Sequence, residues 1–200
     1  MTPQLKATAR EVQRRQTRER VLGAAIAEFK RSGMSRADVN AIAAAAGVAH
    51  GTFFFHFPSK EHVLLALESS EEARIAAEFA AYLINAHGLA ASLTEVVRLV
   101  AGLEQRLGPI LFKELLALHF SPTRPCRDDW SDHPVIVLLV EEIERARSDG
   151  EAHPEVDAFY SATFFLLGIY GVLTTTDDAA KRDTMLSKLI ATAVRGLEVR

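Results

Sequence analysis

The sequence predicts an all-α protein of about nine helices, with a small N-terminal helix-turn-helix domain and a larger helical C-terminal domain. Three observations carry this prediction. Apolar residues recur at the spacing of one helix face in successive segments of the chain. Glycines and prolines stand where these patterns stop. Between Asp38 and Lys60, two short helical patterns are separated by a tight turn that contains Gly47.

The first helix is expected over residues 17–32 and ends at Gly33. Its buried stripe consists of Val21, Leu22, Ala25, Ile26 and Phe29. Residues 1–17 are polar and basic, and we expect either a helical extension or an arm that orders on DNA. The arm is favoured, and a disordered tail is the remaining alternative.

The next stretch predicts two short helices held at a fixed angle. Asp38 can cap a helix that begins at Val39 and carries Ile42 and Ala43 on its apolar side. Gly47 stands where a left-handed backbone usually ends a helix. A second helix is expected over residues 49–55. In a helix-turn-helix, this second helix enters the major groove of DNA.

A long helix with Ser59 as its N-cap is expected over residues 59–86, about 40 Å at about 1.5 Å per residue. Shorter helices are expected over residues 89–107, 109–120 and 134–148. The segment 121–134 has clustered prolines and polar residues and is expected to be a loop. These helices belong to a predicted C-terminal domain of residues 63–200, after an N-terminal domain of residues 1–62.

The last two helices, expected over residues 154–176 and 179–199, are unusually apolar. A membrane span is the first alternative for residues 154–176, but the run is short, contains two glycines and is flanked by aspartates. A helix that is apolar nearly all round needs cover on every side. We therefore expect these two helices to pair with the same two helices of a second copy, as a homodimer.

Composition fits an ordinary globular protein with a cytoplasmic location. The 200 residues are 48% hydrophobic and 24% charged. The single cysteine, Cys126, excludes an internal disulfide, and the first twenty residues lack an apolar signal-peptide core. The net charge of −3 conceals an asymmetry. Residues 1–62 hold ten Lys/Arg and five Asp/Glu, net +5, and residues 63–200 are net −8, as expected for a DNA-reading module on an acidic body.

The N-terminal third resembles the tetracycline-repressor (TetR) family of bacterial regulators. The matching segments are RERVLGAAIAEFKRSG (residues 18–33) and VNAIAAAAGVAHGTFFFHFPSKEHVLLALE (residues 39–68). They hold in order the family's Ile-Ala pair, Ala-Gly-Val turn, Gly-Thr, aromatic run, His-Phe and Ser-Lys-Glu. Beyond residue 68, only length and helical character agree.

The resemblance implies which residues contact DNA. Positions that match His50, Gly51, Thr52 and Phe54 face the groove in the family, and those that match His56 and Lys60 touch phosphate. Asn40 stands where Arg or Thr is common, but its amide can still pair with adenine. Phe54 replaces a common tyrosine, so a hydroxyl for phosphate is missing. The alternatives are a packed His56, a buried Phe54 and a solvated Lys60.

The resemblance also implies a homodimeric regulator, more often a repressor than an activator, that leaves a palindromic operator when a small molecule binds the C-terminal domain. An apolar effector is favoured. Residues that can line its pocket, each equally able to be plain core, are Phe79, Tyr82, Leu83, Phe112, Leu115, His119 and Phe165.

Other classes of function have less support. The sequence shows no catalytic triad order, phosphate loop, dinucleotide fingerprint or metal-ligand spacing, so neither an enzyme, a cofactor nor a metal site is expected. The alternative is an all-helical protein-interaction module, or a thiol sensor in which Arg124 and Arg127 lower the pKa of Cys126.

Overall fold

The computed structural model describes residues 8–85, 88–122, 124–125 and 133–198. These residues form nine α-helices and no strand, which confirms the predicted all-α class. The helices are α1 (Ala9–Ser32), α2 (Val39–Ala45), α3 (His50–His56), α4 (Lys60–Leu83), α5 (Leu89–Leu107), α6 (Pro109–His119), α7 (Pro134–Ser148), α8 (Ala158–Thr175) and α9 (Ala179–Leu197).

The chain divides into two compact units. The first comprises Met1–Glu68 and Leu107–Pro125, and the second comprises Ser69–Arg106 and Cys126–Arg200. By packing, α6 therefore belongs with the N-terminal helices, although the sequence assigned it to the C-terminal domain. This division concerns packing alone, so the functional boundary expected at residue 62 stays a prediction.

Helix α1 begins eight residues earlier than the sequence pattern indicated. Thr8 and Glu11 form a capping box, in which the Thr8 hydroxyl accepts from the Glu11 N–H at 3.3 Å and the Glu11 carboxylate accepts from the Thr8 N–H at 2.7 Å. Residues 9–17 thus form the helical extension rather than a separate arm. The earlier part of the expected arm, residues 1–7, lies outside the described residues.

Helices α1, α2 and α3 pack on one another around a small aromatic core. Phe29 from α1, Ile42 from α2, and Phe53 and Phe57 from the α3 segment are all at most 1% exposed. Burying each such side chain contributes about 1.5–3 kcal/mol. This packing fixes the angle between the two short helices and α1.

In the second unit, α8 packs against both α7 and α9. A buried polar contact links α5 to α7: the Ser92 hydroxyl donates to Glu142 Oε1 at 2.7 Å, and Arg145 also binds the Glu142 carboxylate. Glu142 is 5% exposed, so its charge is tolerable only because these donors satisfy it.

Helix α8 begins at Ala158, four residues later than expected, because the Asp157 carboxylate accepts from the Tyr160 N–H at 3.0 Å and caps it. Among the described residues, α8 is the one helix long and apolar enough to cross a membrane, and 39% of it is buried inside the protein. Core helices of soluble proteins reach the same length and apolar composition.

The pair α8–α9 leaves apolar surface uncovered. Tyr160 and Phe164 on α8 are 58% and 65% exposed, and their rings stack with centroids 6.0 Å apart. On α9, the apolar residues that recur along one face are buried only at Leu186 and Leu197. The remaining residues of this face, Leu189, Ile190, Ala193 and Val194, are half-buried.

We predict that Gly47→Ala lowers the free energy of unfolding by about 1 kcal/mol, because Gly47 has a φ of 65° and alanine is strained there. Gly51→Ala is the matched control, since Gly51 has no positive φ and no atom lies within 4 Å of an added Cβ. Urea unfolding followed by circular dichroism measures both variants. Equal losses would contradict a special role of Gly47 in the turn.

Candidate nucleic-acid interface

The turn between α2 and α3 has the geometry that the sequence indicated. The Asp38 side chain caps α2 by accepting from the Asn40 N–H at 2.9 Å. At the other end, the N–H of Val48 donates to the Ala43 carbonyl at 3.0 Å, and Gly47 supplies the left-handed residue. The chain then enters α3 through Ala49, which has an extended backbone.

Helix α3 has one buried and one exposed face. Phe53 and Phe57 point into the core, and the guanidinium of Arg18 lies 4.5 Å from the centroid of the Phe57 ring. His50 and Gly51 are exposed and Thr52 is half-buried. Three of the predicted DNA contacts therefore lie in the first turn of α3.

The predicted contacts further along differ in their surroundings. Phe54 is 44% exposed and its ring centroid lies 5.3 Å from that of His50, so it is not a core residue. Asn40 is exposed in α2, and its amide nitrogen binds the Asp38 carboxylate at 3.3 Å. His56 is half-buried at the end of α3.

Lys60 has partners within the protein. Its ammonium donates to the carbonyls of Met34 at 2.7 Å, Ser35 at 3.0 Å and Ala37 at 3.4 Å. An ammonium has three donors, and these three carbonyls match them. The phosphate contact expected for Lys60 stays a prediction, and the observed bonds favour a structural role.

Neither the backbone conformation nor the packing around Gly51 requires glycine. Its backbone does not adopt a positive φ, and among the described residues a Cβ would meet no atom within 4 Å beyond its chain neighbours and its own helix backbone. Glycine in a helix also lowers stability by about 0.5–1 kcal/mol relative to alanine. Neither the backbone nor the packing of the described residues therefore requires glycine at this position.

Phe55 belongs to this surface but was not among the predicted contacts. It is 66% exposed, its ring lies 5.3 Å from the Arg14 guanidinium, and its centroid is 5.1 Å from that of His56. Helical spacing could have identified it, because Phe55 lies four residues after Gly51 and shares its face. The continuous aromatic run concealed this difference.

Positive charge from α1 lies beside the end of α3. Arg14 and Arg18 are exposed, and both carry charges close to His56. Burial, and then repulsion by Arg14 and Arg18, lowers the pKa of His56 from its ordinary value of 6.5. His56 is therefore neutral near pH 7 unless an anion approaches.

A comparison of sequences matches one segment of the chain to a known protein family. The segment comprises the second half of α1, all of α2 and α3, and the start of α4. Residues 21–67 match the family model of bacterial regulatory proteins of the tetR family. Over residues 21–67 the chain therefore has the N-terminal domain of the TetR family. Members of this family are non-enzymatic DNA-binding transcription factors, so the expectation that the chain is not an enzyme is confirmed. Comparison with curated proteins finds no match.

Solved structures of TetR-family proteins share the fold. FadR of Thermus thermophilus, a transcriptional repressor in complex with lauroyl-CoA, has a TM-score of 0.73 and 24% identity, covering 92% of this chain and 96% of that one. FadR of Bacillus subtilis, in complex with stearoyl-CoA, has a TM-score of 0.69 and 18% identity, covering 89% and 98%. At these identities the likeness establishes the fold alone.

The predicted effector contacts are divided between the two compact units. Phe112, Leu115 and His119 lie on α6 in the first unit, whereas the second holds Phe79, Tyr82, Leu83 and Phe165. Phe79, Phe112, Leu115 and Phe165 are buried, and the other three are half-buried. Nδ1 of His119 contacts the Glu68 carboxylate and lies 3.1 Å from Arg124 Nη1. The effector contacts stay a prediction. The alternative of a thiol sensor also stays a prediction, because Cys126 lies outside the described residues.

We predict that the His56 pKa lies below 6.5 and rises in Arg14→Gln, because removing a nearby positive charge favours the imidazolium. The rise should not reach 6.5, since burial is the larger cause. Nuclear magnetic resonance titration of the imidazole measures it. Arg15→Gln is the control, because Arg15 pairs with Glu19 at 3.8 Å and does not act on His56. An equal shift in both variants would contradict the assigned cause.

Proposed function

We propose that the chain is a homodimeric repressor that reads a palindromic operator with α3 and releases it when a small apolar molecule binds. The observation that carries the proposal is the outer face of α3. It combines Gly51, which the fold does not require, with polar and aromatic side chains beside exposed arginines of α1.

The chemistry of this face suits a DNA groove. Residues in the first turn of a recognition helix meet base edges. Thr52 offers a hydroxyl and a methyl group, which can contact thymine, and Gly51 allows close approach. Phe54 and Phe55 add apolar surface. Arg14 and Arg18 are placed for the phosphate backbone, where contacts supply affinity without reading sequence.

Two copies are needed to read a palindrome. Recognition helices of a dimer bind half-sites about 34–36 Å apart, one turn of the duplex. The uncovered apolar surface of α8 and α9 includes Tyr160 and Phe164. It supports the homodimer that is expected from the sequence, in which these two helices pair with their copies. Aromatic residues are enriched at such interfaces.

The effector that we propose has a long apolar part. The two FadR proteins of similar fold were crystallised with lauroyl-CoA and stearoyl-CoA. The buried Phe79 and Phe165 among the predicted contacts, both in the second unit, agree with an apolar ligand. Operator binding also assigns the protein to the cytoplasm.

We expect Thr52→Ala to weaken binding to the operator about tenfold and to leave random DNA unaffected, because loss of correct recognition at one base pair costs about 1–3 kcal/mol. Fluorescence anisotropy with the gene's own upstream region and a scrambled duplex measures both affinities. Thr94→Ala is the matched control, since Thr94 is exposed on α5 and bonds to its own helix at Ala90. Equal losses on both duplexes would refute the assignment of Thr52 to base reading.

Phe164→Glu should convert the dimer to a monomer, because it places a charge in the centre of the proposed α8–α9 interface. Light scattering after size exclusion measures the mass. Ile84→Glu is the control: Ile84 is 83% exposed and lies directly after α4, outside that interface. A Phe164→Glu protein that keeps the wild-type mass would overturn this interface.

A further inference from the structure

The turn between α1 and α2 is held from both sides by charged side chains of other helices. The N–H of Met34 donates to Glu114 Oε2 at 2.7 Å, and the carbonyl of the same residue accepts from Lys60 Nζ at 2.7 Å. Glu114 lies on α6, 80 residues away in sequence, and Lys60 begins α4. We call this pair of contacts the Met34 clamp.

The clamp adds charged partners to the backbone of a turn in which the Met34 carbonyl also accepts from the Ala37 N–H at 3.2 Å. Lys60 also binds the carbonyls of Ser35 and Ala37, and Ala37 immediately precedes Asp38, the N-cap of α2. Hydrogen bonds with an ionised partner are about twice as strong as neutral ones. The clamp therefore fixes the position at which α2 begins, and with it the position of α3, which follows α2 in the chain.

Because Gly33 has no side chain, it leaves room for the Glu114 carboxylate. A Cβ at this position would lie 2.9 Å from Glu114 Oε1, closer than real Cβ atoms approach. Gly33 also has a φ of 78°, which side chains rarely adopt, and its N–H caps α1 by donating to the Phe29 carbonyl at 2.8 Å. The end of α1 thus leaves a notch that Glu114 occupies.

We propose that Glu114 is a positioning residue for DNA reading, which acts by fixing the α1–α2 turn from α6. The proposal rests on the proposed function of α3. Glu114 holds the Met34 amide, the turn holds the start of α2, and α2 packs against α3. Loss of the carboxylate releases this edge of the helix-turn-helix while the aromatic core that includes Phe53 stays buried.

Glu114 gives a sharper test than Lys60, because its charge has the wrong sign for a direct contact with DNA. Removing a carboxylate raises the net charge by one, and by Coulomb attraction alone this strengthens DNA binding. The positioning role predicts the opposite. Lys60 lacks this advantage, since loss of either a phosphate contact or the clamp weakens binding.

The experiment compares wild-type protein with Glu114→Ala, Glu114→Gln and Glu155→Ala. Glu114→Gln keeps an acceptor oxygen for the Met34 N–H. Glu155→Ala changes the charge equally at an exposed site in the second unit. Operator affinity is measured by anisotropy, exchange of the backbone amides of residues 34–37 by nuclear magnetic resonance, and folding by thermal melts.

We expect Glu114→Ala to bind operator about tenfold more weakly and to exchange the Met34 amide at least about tenfold faster, since a bond to a charged group is lost. Glu114→Gln should restore most of both properties, and Glu155→Ala should match or slightly exceed wild-type affinity. Unchanged or stronger operator binding by Glu114→Ala would overturn the proposal. So would a Glu114→Gln protein as impaired as Glu114→Ala.

The two proposals fail in different ways. If wild-type protein does not bind the operator, the proposed function fails, and the positioning role fails with it even where the amide data show the clamp. If wild-type protein binds and Glu114→Ala loses Met34 protection without losing affinity, only the positioning role fails. If Glu114→Ala does not fold, Glu114→Gln and Gly33→Ala test the proposal instead. The added Cβ of Gly33→Ala crowds the Glu114 carboxylate. Normal operator binding by Gly33→Ala with an exposed Met34 amide would then overturn the proposal.

Discussion

Burial of Phe53 and Phe57 beneath α3 is the interaction on which the DNA-facing surface depends. The helix has only seven residues, too few to be stable alone, so its conformation comes from this packing. Because side chains three and four positions apart share a helix face, burying these two phenylalanines turns Gly51, Phe54 and Phe55 outward. The core of α1 thereby determines which groups a duplex would meet.

Charge is used differently in the two compact units. In the first, Arg14 and Arg18 remain exposed beside α3, where a polyanion can reach them. In the second, Glu142 is buried and satisfied by Ser92 and Arg145, an arrangement that fixes helix positions rather than offering a binding group. The acidic excess of the C-terminal segment is consistent with a body that DNA contacts only through the N-terminal helices.

Four of the seven expected effector contacts are buried. The expected contacts themselves have two possible uses, since a phenylalanine such as Phe79 fills a core as readily as it lines a pocket. His119 illustrates this point, because Glu68 and Arg124 already occupy its Nδ1 side.

The sequence by itself determined the helices, the turn at Gly47 and the match of residues 21–67 to the TetR family, because periodicity, caps and ordered motifs are local properties of the chain. It located the outward positions of α3 except Phe55, which an unbroken run of phenylalanines concealed. Only the tertiary structure assigned α6 to the N-terminal unit and placed Glu114 and Lys60 on opposite sides of Met34. Those contacts join residues 80 and 26 positions apart, and no local pattern encodes which distant charged side chain will satisfy a given backbone group.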